Sequence, residues 1–93
     1  MKILYSEHLK RRLELREIDK DLPRRIFEQS DERYFDTATG HLIAIMVVEL
    51  YEKKRDIMLA YSIEEDCAKL LTIHPLKEKQ KEARISSGRW RKI

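Results

Sequence analysis

His8, Arg12 and Arg16 follow one another at four-residue intervals inside the stretch HLKRRLELR. Four-residue spacing stacks side chains along one face of a helix. The stripe sets one titratable group beside two permanent cations, with Leu9 and Leu13 running next to it as an apolar stripe. An imidazole, with an ordinary pKa of about 6.5, can take or give a proton near neutral pH. A guanidinium is a planar fork that suits the oxygens of a phosphate or a carboxylate. The competing reading is structural. A helix surface paired with glutamates or an acidic turn would look the same, with its arginine stems lying over a sheet edge.

Two more residues could join that chemistry. His74 stands just before Pro75, where a second imidazole could act, although a capped, partly buried histidine fits equally well. Tyr61 could donate a hydrogen bond from a neighbouring strand, but its apolar neighbours Leu59, Ala60 and Ile63 also suit a core aromatic. His41, beside Gly40, reads as a turn residue. The three histidines lie far apart in sequence, and Cys67 is the only cysteine. That spacing matches no zinc site, so no metal or cofactor is expected.

A second constellation closes the chain. Residues 76–93 hold seven Lys or Arg against two Glu, whereas residues 1–75 hold 13 Lys or Arg against 15 Asp or Glu. A basic segment thus follows a mildly acidic body, which points to a polyanionic partner. Lys77, Lys81, Arg84, Arg89 and Arg91 would follow a phosphate backbone, and the Trp90 indole would stack on a base. The alternative is a solvated helix whose Trp90 docks back on the body.

These groups need elements to position them. Ile3, Leu4 and Tyr5 read as a short strand. Ser6 suits the N-cap of a helix running to about Ile18. Asp19 or Asp21 can cap a second helix over Arg24–Gln29, with Pro23 in its first turn. Arg33–Asp36 reads as a strand and 37–40 as a turn. HLIAIMVVELY, residues 41–51, is a long strand whose unbroken apolar middle suggests burial on both faces. Glu52 to Arg55 reads as a polar hairpin loop, and Asp56–Ile63 and Lys69–His74 as the next two strands. Leu76–Ile85 reads as a basic helix. The expectation is an α+β domain: two N-terminal helices packed on a twisted, mainly antiparallel four- to five-stranded sheet, with a C-terminal basic helix.

With 93 residues the chain is long enough for one domain and one modest core. Apolar residues at 42% and charged residues at 40% exclude disorder. The lone cysteine excludes an internal disulfide and suits a reducing compartment. No apolar run approaches the roughly 20 residues that span a bilayer. A cytoplasmic protein away from membranes is expected.

Three features carry a resemblance. They are the early S-x-H-x-x-x-R-x-x-x-R at Ser6, His8, Arg12 and Arg16, the strand end Leu71-Thr72-Ile73-His74-Pro75, and the terminal Ser87-Gly88-Arg89-Trp90. With the element order, they make the chain resemble the RelE/ParE-like toxin superfamily over nearly its whole length. That resemblance implies a single RelE-like domain over 1–93, metal-independent endoribonuclease activity on RNA, either free or on the ribosome, and an antitoxin protein as partner. Such cleavage needs a base for the 2′-hydroxyl, an acid for the leaving oxygen and cations around the phosphate. His8, Arg12, Arg16, Tyr61 and His74 are the candidate set. A nucleic-acid-binding module without catalysis is the second reading, and a protein-interaction module, such as a homodimer through a sheet edge, is the third.

Overall fold

A computed structural model describes all residues, 1–93. In chain order the elements are β1 (Lys2–Tyr5), α1 (Glu7–Leu15), α2 (Leu22–Gln29), β2 (Glu32–Asp36), β3 (Leu42–Leu50), β4 (Lys53–Glu64), β5 (Cys67–Pro75), α3 (Gln80–Ser86) and β6 (Trp90–Lys92). They form one six-stranded sheet in the order β1-β5-β4-β3-β2-β6. This corrects the expected architecture. The sheet has six strands instead of four or five, and it is mixed because β1 pairs parallel with β5. The third helix has only seven residues and is followed by a strand that re-enters the sheet.

Both faces of the sheet are covered. Leu9 and Leu13 of α1 and Leu22 and Ile26 of α2 pack on Ala44, Val48, Ile57, Leu59, Leu70 and Ile73. On the other face Tyr34, Ile43, Ile45, Met58, Ala60 and Trp90 form a second cluster, with Leu76 against it. The alternation along β3 and β4 assigns neighbouring residues to opposite clusters, so the apolar run LIAIMVV serves two cores at once. Val47 is the exception: it lies largely exposed.

Helix α1 begins where Ser6 accepts a hydrogen bond from the Leu9 N–H at 3.0 Å. It ends in a Schellman motif. Glu17 takes a positive φ of 53°, the Ile18 N–H reaches the Leu13 carbonyl at 2.9 Å, and the Glu17 N–H reaches the Glu14 carbonyl at 3.3 Å. The motif folds Ile18 back beside Leu13 in the core.

Strands β3 and β4 are joined by two residues, Tyr51 and Glu52, with φ of 55° and 63°. Two positive φ values are what a type I′ hairpin turn requires. The expected four-residue loop is therefore shorter. Lys53, Lys54 and Arg55 belong to β4 and pair with Leu50, Glu49 and Val48.

Candidate functional site

The edge of β5 decides where α1 sits. β1 pairs with β5 only from Cys67 to Leu70. Beyond that point α1 takes over. The Ser6 N–H donates to the Leu70 carbonyl at 2.9 Å. Ser6 Oγ donates to Leu71 O at 2.8 Å, and Arg12 Nε donates to Ile73 O at 2.7 Å. A sheet edge that would otherwise carry unpaired carbonyls is thereby satisfied. Ser6 and Arg12 thus have structural roles within the early motif.

The same arrangement opens a cleft of about 830 Å³ between the end of α1, the start of β4 and the segment after β5. Arg12, Arg16, Lys53, Lys54, Arg55 and Lys77 line it together with His74, against one carboxylate, Glu78. None of the six cations takes part in an ion pair. The pairs in the chain join Lys10 to Glu7, Lys81 to Glu32 and Asp56, and Arg89 to Asp36. Unpaired cations crowded into one concavity raise the local positive potential and attract polyanions.

His74 sits half-buried in this setting. Burial lowers its pKa below the ordinary 6.5. A hydrogen bond with the Pro75 backbone opposes that, and the nearby charges of Arg12, Arg84 and Arg16 lower it further. The shift favours the neutral imidazole, the form that accepts a proton.

His8 is not brought there. It is exposed, in a separate depression of about 270 Å³ that it shares with Arg11, Leu15 and the other sides of Arg12 and Arg16. Four residues turn a helix by about 400°, so each step along the stripe drifts by about 40°. From His8 to Arg16 the drift is enough to separate the imidazole from the cleft.

Tyr61 is not brought there either. Its ring is buried in the helix-side core, edge-on to Phe27 at 5.1 Å. Its hydroxyl accepts from Arg33 Nη1 at 3.0 Å. Arg33 also bonds the carbonyls of Phe27 and Ser30, closing the C-terminal end of α2. Tyr61 thus belongs to a structural network.

The C-terminal constellation divides. Lys77 lines the cleft. Lys81 is held by Glu32 at 3.1 Å and Asp56 at 3.9 Å, which fixes α3 over the second face. Trp90 is 3% exposed, stacks on Tyr34 at 5.8 Å and donates from its indole nitrogen to Asp36 at 3.3 Å. Arg89 donates to both oxygens of Asp36, at 3.1 and 3.2 Å. Asp36 also accepts from the Ala38 and Thr39 N–H groups. Burial raises the pKa of Asp36, but the bonds from Arg89, Ala38 and Trp90 outweigh it and hold the carboxyl below its usual value. The terminal S-G-R-W is thus a clasp that fastens β6 to β2, and its indole is not available to a base. Arg84 is half-buried near His74, and Arg91 is exposed on β6.

Sequence reading missed Lys53, Lys54 and Arg55 as cleft residues. Three consecutive cations beside a hairpin turn were the available signal, but nothing local says which wall of the fold they face.

Comparison with known proteins finds no matching family model, curated protein or solved structure. No helix is long and apolar enough to cross a membrane.

Proposed function

We propose that the chain is a toxin-like, metal-independent endoribonuclease that works at the basic cleft. One observation carries the reading: the His74 imidazole stands among six unpaired cations in one concavity, where burial and the neighbouring charges favour its neutral form. RNA would lay its phosphates along Arg16, Lys53, Lys54 and Lys77. His74 takes the proton of a 2′-hydroxyl, and the 2′-oxygen attacks the adjacent phosphorus. The bond from phosphorus to the 5′-oxygen breaks, leaving a 2′,3′-cyclic phosphate and a 5′-hydroxyl. The leaving oxygen takes its proton from a cleft ammonium or from water. Arg12 and Arg16 stabilise the charge that builds on the phosphoryl oxygens. An antitoxin would be an acidic protein surface filling the same cleft.

A second reading, RNA binding without cleavage, is favoured by one observation: His8 lies outside the cleft, so only one imidazole is within reach.

Incubation of mixed RNA with the protein in EDTA decides between them. The parent is expected to release fragments with cyclic phosphate ends, and His74→Gln to slow release by about 10²–10⁴-fold. Equal cleavage by His74→Gln would remove the imidazole from the mechanism. RNA retention without cleavage, weakening by about 0.7 log units per bound phosphate for each tenfold rise in salt, would establish the second reading.

A further inference from the structure

Tyr51 reads as sheet packing in the sequence, yet the structure leaves it 51% exposed at the tip of the β3–β4 hairpin. It is not loosely held. Its hydroxyl donates to the carbonyl of Arg16. The Arg55 guanidinium lies over its ring, 5.8 Å from the centroid, and is itself fixed by a 2.9 Å bond from Nε to the Leu50 carbonyl. Arg16 and Arg55 both line the basic cleft, and Lys53 and Lys54 follow Tyr51 within three residues. A rigid, half-open aromatic ring therefore stands at the rim of a cationic concavity.

We propose that Tyr51 is a stacking platform for an unpaired base, and that the cleft therefore takes single-stranded RNA in preference to duplex. The inference rests on the reading of the cleft as an RNA site. Every base has a π-face, so an aromatic side chain beside a cationic groove binds single strands with little sequence preference. A duplex keeps its bases stacked on one another and offers the cleft phosphates and 2′-hydroxyls but no free base face along its length. Arg55, lying over the ring, adds a cation–π contribution that orders the platform before RNA arrives. Trp90, the aromatic that the sequence favours for this task, is buried in the clasp.

The test is a fluorescence titration, at one salt concentration, of three probes: a labelled single-stranded RNA, a blunt RNA duplex of the same length, and inorganic polyphosphate as competitor. The parent, Tyr51→Phe, Tyr51→Ala and Lys54→Ala are compared. Tyr51→Phe is expected to keep single-strand binding, since the ring remains. Tyr51→Ala is expected to lose about 5- to 150-fold on the single strand, with duplex affinity and polyphosphate competition unchanged. Lys54→Ala is expected to weaken all three. A single-strand probe carrying 2-aminopurine should be quenched on binding the parent and Tyr51→Phe but not Tyr51→Ala. Equal loss on single strand and duplex in Tyr51→Ala would overturn the stacking role while leaving the cleft as an RNA site. Failure of the parent to bind any RNA, or binding unaffected by Lys54→Ala, would overturn the cleft reading and this inference together.

Discussion

Arg12 and Ile73 are joined by a 2.7 Å hydrogen bond from the guanidinium Nε to the main-chain carbonyl, one residue ahead of His74. The bond ties the candidate imidazole to the helix that supplies the cleft cations. It also separates two arginines that look equivalent in the sequence. Arg12 holds the fold, whereas the Arg16 side chain bonds no protein group and faces the cleft.

Arg12→Ala should therefore cost about 1–2 kcal/mol of stability, the usual loss for a charge-assisted hydrogen bond at a partly exposed site. Arg16→Ala should stay within about 0.5 kcal/mol of the parent and lower RNA affinity instead. Urea denaturation beside RNA titration separates the two effects. A stability loss in Arg16→Ala equal to that in Arg12→Ala would contradict the assignment.

His74 makes stability and activity depend on pH in a defined sense. Its folded pKa is lowered from 6.5, so the unfolded chain binds the proton more readily. Its contribution is fully present above pH 6.5 and falls as pH drops from there toward the folded value. His74→Gln should flatten that part of the urea midpoint-against-pH curve. In RNA cleavage, the acid limb of kcat/KM should fall below pH 6.5, because the free enzyme keeps its base unprotonated to lower pH than a free imidazole would. An acid limb above pH 6.5 would exclude His74 as the base.

Asp36 fastens β6, and Trp90 is the only tryptophan. Asp36→Ala leaves the indole N–H and the Arg89 guanidinium without their acceptor. The expected cost is about 2–4 kcal/mol, discounted for the partial exposure of Arg89. If the clasp opens before the rest of the domain, Trp90 emission shifts to the red at a lower urea concentration than the loss of far-ultraviolet circular dichroism. Parent-like emission and midpoint in the variant would contradict the clasp. Because the folded pKa of Asp36 is depressed from 3.8, its contribution is present above that value and is lost as pH falls through the folded pKa.

Tyr61→Phe removes the acceptor of one Arg33 bond. A loss of about 0.5–1.5 kcal/mol is expected, with RNA cleavage per folded molecule unchanged. Slower cleavage at parental stability would return Tyr61 to the reaction.

Particular residues show what could be read in advance. Seven consecutive apolar residues, Leu42 to Val48, can hardly avoid being a strand between two cores, and β3 lies there. Ser6 announces a helix start through its own side chain. The sixth strand had no such signal. Trp90-Arg91-Lys92 is too short to alternate, and it pairs with β2 through a carboxylate 54 residues away. The size and mixed character of the sheet therefore escaped the sequence reading. For the site, spacing by four placed Arg12 and Arg16 on a shared face, but the drift of the helix carried His8 out of it. Tyr61 and Trp90 have side chains suited to the chemistry but lie inside the fold. Their burial depends on long-range contacts with Arg33 and Asp36 that no local pattern encodes.

The handover of the β5 edge from β1 to α1 has one more consequence. An open strand edge is a template for strands of other molecules, and chains that leave one long and flat tend to stack into fibrils. Here the carbonyls of Leu70, Leu71 and Ile73 are already occupied by Ser6 and Arg12. What remains at the two margins of the sheet is a four-residue strand, β1, and a three-residue strand, β6, that carries Arg91 and Lys92. The motif that looks like chemistry in the sequence thus also occupies β5 carbonyls that an added strand would need. Loss of Arg12 should therefore show as aggregation on slow heating at a lower temperature than the parent, measured by light scattering.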